Sequence, residues 1–215
     1  MRVAAIIVAA GRGTRVGGPV PKQWRDLAGQ SVAVRAMQVF AGHPGVSQLV
    51  LVLHPDDLGL LPADPPATIV PGGATRSASV LAGLMAVEGQ ADIVLIHDAA
   101  RPLVRPGLIT AVLDRLQTAR AAAPAVAVTD ALWHGADGLV TGTQDRAGLF
   151  RAQTPQGFWL ADILAAHRSH PGNAADDVAV ARAAGIAVVI VPGDEDNLKI
   201  TCEADFARAL RMLDS

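Results

Sequence analysis

The sequence predicts an α/β fold: a single domain over residues 1–215, with a mostly parallel sheet covered by helices on both faces and a protruding β-hairpin arm. Three observations carry this expectation. Short Val-, Ile- and Leu-rich runs recur along the chain, helical stretches alternate with them, and residues 130–152 break the alternation. Strands buried on both faces read as continuous apolar runs, and strand–helix alternation gives a parallel sheet with helices over each face. The 215 residues exceed the common domain size of roughly 100–150 but lie within reach of one α/β unit.

Val3–Val8, Leu49–Leu53, Ile93–Ile96, Ala125–Val128 and Ile186–Val191 read as strands, because each is apolar throughout and bounded by turn residues. Val32–Phe40, Ser77–Val87, Leu108–Ala121, Leu160–His167, Val178–Ala184 and Glu203–Leu213 carry helical periodicity. The stretch from Pro62 to Pro66 reads as a surface loop, not a linker. Between Asp130 and Ala152, short apolar pieces are separated by Ala-Asp-Gly and Arg-Ala-Gly turn signals, which is hairpin grammar. Its Trp133, Leu139, Leu149 and Phe150 need a surface to pack on, either a partner subunit or the parent domain.

Composition narrows the function. With 18 Lys plus Arg against 20 Asp plus Glu, net charge −2 and 51% hydrophobic residues, the chain is neither disordered nor a general nucleic-acid binder. A lone Cys202 makes no internal disulfide, and neither CxxC nor HExxH occurs. His167 and His170 read as a solvated helix end. No apolar run approaches the ~18 residues of a membrane span. The apolar N-terminus runs straight into Gly11-Arg12-Gly13 with no cleavage site, so a cytoplasmic protein is expected. Sixteen of the 18 cations are Arg; the two lysines are Lys22 and Lys199.

Ligands of an open parallel sheet bind at the carboxyl ends of its strands. The first such loop, Ala9-Ala10-Gly11-Arg12-Gly13-Thr14-Arg15, continues to Pro21-Lys22-Gln23. Its glycines let backbone N–H groups approach a polyphosphate. It is not the dinucleotide fingerprint GxGxxG, since Val16 holds the third glycine position. Nor is it GxxxxGK[ST], since Pro19 stands where Lys is required. Two cations, Arg15 and Lys22, beside such a cradle suit a transferring phosphoryl centre.

AAGxGxR followed by PKQ resembles the signature of the nucleotidyltransferase superfamily, and in its PKQ form that of the 2-C-methyl-D-erythritol 4-phosphate cytidylyltransferase family, whose fold is Rossmann-like. Gly72-Gly73 with Arg76 and Ser79, the run His97-Asp98-Ala99-Ala100-Arg101-Pro102, Asp145-Arg146, Gln153-Thr154-Pro155-Gln156 and Asp196-Asn197-Leu198-Lys199-Ile200-Thr201 are similar to further motifs of that family, in the same order. The resemblance implies that Arg15, Lys22 and Lys199 are catalytic, neutralising charge at the α-phosphorus. It places Ala9, Ala10, Gly11, Gly13, Gly73, Ser79 and Asp98 at the nucleotide, with Asp98 holding Mg²⁺ or another divalent cation and Asp196 or Asn197 near the metal. It assigns Arg101, Arg146 and Thr154 to the acceptor, Arg146 reaching across a homodimer through the arm. It also implies CTP and a polyol phosphate as substrates, and fusion of some members to a later enzyme of the isoprenoid route.

The expected reaction is attack of an ionised acceptor phosphate on the α-phosphorus of CTP with pyrophosphate leaving. It needs no general base, so His97 is assigned a structural role. Asp176-Asp177 reads as the acidic start of a helix. Members usually carry Asp-Thr where this chain has Asp130-Ala131, which keeps another polyol phosphate such as ribitol 5-phosphate as an alternative acceptor. A nicotinamide-dinucleotide oxidoreductase is the more distant alternative, opposed by the missing third glycine, and a non-catalytic nucleotide sensor is a third.

Overall fold

A computed structural model of the chain describes residues 1–12, 20–172 and 174–213. In chain order the elements are β1 (Val3–Ala9), β2 (Asp26–Leu27), β3 (Gln30–Ser31), α1 (Val32–Ala41), β4 (Gln48–Leu53), β5 (Thr68–Pro71), α2 (Arg76–Ala86) and β6 (Ile93–Asp98). Then follow α3 (Pro106–Leu116), β7 (Ala121–Ala127), β8 (Leu132–Ala136), β9 (Leu139–Gln144), β10 (Phe150–Ala152), β11 (Gln156–Trp159), α4 (Leu160–Ser169), α5 (Asp177–Ala183), β12 (Val189–Pro192) and α6 (Glu203–Leu213). Single 3₁₀ turns span Lys22–Trp24 and Pro55–Leu60.

Eight strands form one sheet in the order β10-β7-β11-β6-β1-β4-β5, with β12 on β7. The β1–β4, β1–β6, β4–β5 and β7–β12 pairs are parallel, whereas β11 runs antiparallel to both β6 and β7. Side-chain alternation divides β1 between two cores. Val3, Ala5, Ile7 and Ala9 pack with Met37 and Phe40 of α1 and Ile109 and Val112 of α3. Ala4 and Ile6 face the other way, toward Val80 and Leu84 of α2 and Leu164 of α4. A strand buried on both faces must be apolar at every position, which is why this run was legible. In register, Ile6 sits between Val50 and Ile96, so β1, β4 and β6 end along one edge, and the site lies there.

The structure corrects several boundaries. The helix expected through Ala121 ends at Leu116, and Ala121 already belongs to β7. Ala favours helix in isolation, but Ala121 and Ala122 are fully enclosed in the sheet. The strand expected over 186–191 begins only at Val189. The arm is shorter than 130–152: β8 and β9 form a separate two-stranded sheet, whereas β10 pairs with β7 in the main sheet. Asp137 and Gly138 turn this hairpin with φ of 53° and 78°, the paired left-handed conformation that Asp-Gly supplies in two-residue hairpin loops. The hairpin is not folded back on its own domain, since Trp133 and Leu139 are 68% and 73% exposed.

Leu27, Val32, Ile200, Phe206 and Ala209 make a third, small core. It fastens α6 over β2 and α1, and so returns the segment before α6 to the carboxyl edge of the sheet. Among the described residues, no helix is long and apolar enough to cross a membrane.

Candidate active site

A cleft of about 450 Å³ opens along this edge, lined by the turn after β1, the 3₁₀ turn at Lys22, the Gly73–Arg76 turn, the end of β6 and Lys199. That volume lies within the range of small-molecule sites. Backbone groups of Ala9, Ala10 and Gly11 form one wall. Gln23, buried to 3%, donates from Nε2 to the carbonyls of Ala9 and Gly11, both at 2.8 Å. Lys22 donates from Nζ to the carbonyl of Ile200 at 2.6 Å.

The opposite wall is the turn into α2. Thr75 caps the helix, accepting from the amide of Ala78. Ser79 is buried; its hydroxyl donates to the carbonyl of Thr75 at 2.9 Å and accepts from the amide of Gly73 at 3.1 Å. The Ser79 hydroxyl therefore shapes the Gly73 turn. Neither glycine tolerates a side chain: a Cβ on Gly72 would lie 2.3 Å from the Ala10 Cβ, and one on Gly73 would lie 2.5 Å from the Ala78 Cβ. Gly72, to which the sequence motif gives no role of its own, is what brings the two walls together.

Asp98 ends β6 on the cleft floor. Lys199 donates to its Oδ2 at 2.6 Å and Arg76 to its Oδ1 at 3.3 Å. Burial pushes this carboxyl up, but the Lys199 ammonium and the Arg76 guanidinium outweigh burial and hold it well below the usual carboxylate range. Arg76 also donates to Oδ2 of Asp177 at 2.7 Å, and Asp177, fully buried, takes His167 Nε2 on Oδ1 at 3.1 Å. Burial pulls the Arg76 guanidinium down, yet Asp177 and Asp98 more than compensate and leave it raised. Asp177 is thus an internal counter-ion, not merely an acid at a helix start, and His167 is buried against it instead of solvated. Asp176 does cap α5, accepting from the amide of Ala179 at 2.9 Å.

Beneath the floor lies a polar layer. His97 is fully buried, and its Nε2 lies 3.1 Å from the carbonyl of Arg101, which can only accept. The ring proton therefore sits on Nε2, and Nδ1 accepts from the Thr154 hydroxyl at 2.9 Å. The same hydroxyl accepts from the amide of Asp98 at 3.2 Å. Burial, reinforced by the nearby Arg101 charge, pushes His97 down to about 4. Neutral and enclosed, it serves no substrate as a base. Arg101, 8% exposed, donates to the carbonyls of Asn197 at 2.7 Å and Ala152 at 3.1 Å.

The predicted site residues thus fall into groups. Ala9, Ala10, Gly11, Lys22, Gly73, Ser79, Asp98 and Lys199 line one cleft. Gly13 and Arg15 lie outside the described residues. Arg101 and Thr154 sit under the floor, Arg101 with both terminal nitrogens and Thr154 with its hydroxyl bonded to protein, where a direct grip on the acceptor had been expected. Arg146, at the base of the arm, donates to the carbonyl of Thr129 and does not line the cleft. Asp196 is not beside Asp98: it pairs with Arg105 at 2.5 Å, and Asn197 is buried, donating to the carbonyl of Thr154 at 2.8 Å. Among the described residues no three His, Cys, Asp or Glu side chains are grouped to hold a metal, and Asp98 is the one acid lining the cleft. Arg76 belongs to the quoted glycine motif but received no role from sequence, although a signal for one is present. A cation in the first turn of a helix opposes the dipole, which calls for acids elsewhere in the chain to hold it.

The sequence profile of the 2-C-methyl-D-erythritol 4-phosphate cytidylyltransferase family matches residues 3–215. The chain is 60% identical over 215 residues to the Roseobacter denitrificans protein of that name, spanning 99% of this chain and 97% of the relative. It is 60% identical over 219 residues to the bifunctional IspD/IspF enzyme of Rhodobacter capsulatus, of which it spans 56%. The crystal structure of 2-C-methyl-D-erythritol 4-phosphate cytidylyltransferase from Thermus thermophilus superposes over all of both chains, with a TM-score of 0.86 and 30% identity.

Proposed function

The chain belongs to the 2-C-methyl-D-erythritol 4-phosphate cytidylyltransferase family, and on that premise we propose how its own residues join CTP to the acceptor phosphate. The protein is a nucleotidyltransferase of the isoprenoid precursor route. The observation that carries the residue assignment is the meeting of Lys22, Lys199, Arg76 and Asp98 on one cleft with the glycine turn after β1.

The triphosphate lies against the backbone of Ala9–Gly11, and the base against the Gly73 turn that Ser79 shapes. A phosphate oxygen of the acceptor attacks the α-phosphorus in line; the new P–O bond forms as the bond to pyrophosphate breaks. The acceptor is a phosphate monoester ionised at neutral pH, so no protein group takes a proton. Catalysis is positioning plus charge stabilisation. Lys22 and Lys199, with Arg15 from the sequence, meet the negative charge that builds on the oxygens around phosphorus. Arg76, anchored by Asp177, keeps Asp98 turned to the floor.

Asp98 fits a magnesium ion. Mg²⁺ binds through one or two carboxylates completed by substrate phosphates and water, and one acid on the cleft floor matches that need. When bound, the ion neutralises phosphate charge and stabilises the departing pyrophosphate. The exposed apolar face of the arm, with Trp133, Leu139 and Val140, suits a second copy of the chain and would bring Arg146 to the partner's acceptor site.

The test is pyrophosphate release from CTP with 2-C-methyl-D-erythritol 4-phosphate, run beside ribitol 5-phosphate. The first acceptor is expected to be used with the higher kcat/KM, and Lys22→Ala to lower turnover by about 10²-fold or more. Preference for ribitol 5-phosphate, or near-normal turnover in Lys22→Ala, overturns the assignment.

A further inference from the structure

Asp57 takes no part in the chemistry above, yet it is a carboxylate buried to 2% beside the cleft. It stands in the 3₁₀ turn Pro55–Leu60 that follows β4. Burying a carboxylate is costly unless its oxygens find donors, and here the donors come from two separated points of the chain. Oδ1 accepts from Nη1 of Arg12 at 2.9 Å, and Oδ2 accepts from Nε1 of Trp24 at 2.9 Å.

Arg12 and Trp24 bracket the stretch between the glycine turn and Lys22. Gln23 ties the same two ends a second time, through the carbonyls of Ala9 and Gly11. One buried charge thus fixes where the stretch leaves β1 and where it re-enters at the Lys22–Trp24 turn. Arg12 itself lines the cleft, with its side chain 47% exposed. A guanidinium carries five N–H donors in a planar fork, so the bond to Asp57 leaves it able to meet an anion.

We propose that Asp57 is a positioning residue: it holds Arg12 on the cleft wall as an additional cation for the nucleotide phosphates and, through Trp24, sets the turn that presents Lys22. The inference rests on the reading of this cleft as the CTP site. It identifies Arg12 as a ligand contact from its position, since a flexible Arg on a glycine turn would otherwise swing into solvent.

The test is steady-state kinetics of Asp57→Asn, which keeps the size and an acceptor for Trp24 but removes the charge that holds Arg12. KM for CTP is expected to rise about tenfold, the loss of roughly one charge-assisted contact, while KM for the acceptor phosphate stays within about twofold. Arg12→Gln should reproduce that split, and the double variant should be no worse than either single, because the two side chains act as one unit. A merely structural Asp57 would lower the melting temperature without separating the two KM values. An unchanged KM for CTP in folded Asp57→Asn, equal rises in both KM values, or additive effects overturn the proposal. Should Asp57→Asn fail to fold, Arg12→Gln decides alone, since it alters a half-exposed side chain, and an unchanged KM for CTP overturns the proposal. Wild-type protein assayed in parallel separates the two readings: no pyrophosphate release there refutes the proposed function, not the role of Asp57.

Discussion

Acidification should unfold this protein through His97. The ring is fully buried, is pushed down to about 4, and holds its single proton on the nitrogen that faces the Arg101 carbonyl. In the unfolded chain an imidazole titrates near 6.5. Between those values the unfolded state binds the extra proton and the folded state does not, so stability falls as pH drops from 6.5 toward 4 and is fully retained above 6.5. The shift corresponds to about 3 kcal/mol in total, of which ~2 kcal/mol is lost between pH 7 and pH 5. Urea unfolding at pH 7, 6 and 5 measures it, with His97→Gln as the non-titrating control. The buried His43 and His167 are common to both proteins, so the difference in slope isolates His97. Asp98, held below the usual carboxylate range, loses its contribution only at lower pH than this window. The wild type should lose ~2 kcal/mol more than the variant over the interval; parallel slopes refute the argument, because a ring that protonates freely in the fold cannot be locked between Thr154 and the Arg101 carbonyl.

Gly72→Ala would set a Cβ 2.3 Å from that of Ala10, so it should spread the two walls and raise KM for CTP by about tenfold or more; a variant with normal KM shows that the walls do not act as a pair. Trp133→Ser with Leu139→Ser, both on the exposed face of the arm, should convert a dimer to monomers in sedimentation equilibrium while leaving the far-ultraviolet circular dichroism unchanged, and an unaltered mass argues against the arm as the interface. Asp98→Asn should raise the Mg²⁺ concentration needed for half-maximal turnover, and chelation should abolish wild-type activity; an unshifted Mg²⁺ dependence removes Asp98 from the metal's ligands.

What the sequence made legible follows from burial. β1, β4 and β6 are enclosed on both faces, so apart from Gln48 at the start of β4 and His97-Asp98 at the end of β6 their positions are apolar, and the runs stood out. β5 escaped notice because it is a four-residue edge strand, half exposed and closed by Pro71. β11 was hidden for the opposite reason. It contains Gln156, Gly157 and Phe158, and the polar residue reads as a site residue, not as strand. Gln156 is buried for a structural purpose: its Oε1 accepts from the amides of Asp177 and Val178, and its Nε2 donates to Asp176. Gln153 does the same for the other flank, bonding both the amide and the carbonyl of Asp194. Local pattern identifies a residue type as functional, but whether its polar atoms face the cleft or the neighbouring loop depends on partners roughly 20 to 100 positions away. Arg101, Thr154 and Asp57 illustrate this, since nothing beside them in sequence announces Asn197, His97 or Trp24.

The division of labour between the cations shows why 16 arginines and two lysines are not interchangeable here. Arginine's planar fork can hold two partners at once, and this chain uses it so. Arg76 spans Asp98 and Asp177, Arg101 spans Asn197 and Ala152, Arg35 spans the carbonyls of Leu27 and Ala28, and Arg25 and Arg168 each take both oxygens of a glutamate. Such residues staple distant segments, and a staple that let go to follow a reacting phosphate would loosen the fold. The lysines converge instead on one spot: Lys199 meets Asp98, and Lys22 reaches the carbonyl of Ile200, the next residue along. Each presents a compact ammonium on a flexible stem, a point charge that suits a crowded phosphate better than a wide planar fork. A net charge of −2 coexists with a cationic cleft, because Arg12, Lys22, Arg76 and Lys199 gather there against Asp98, the one acid among the described residues that line it.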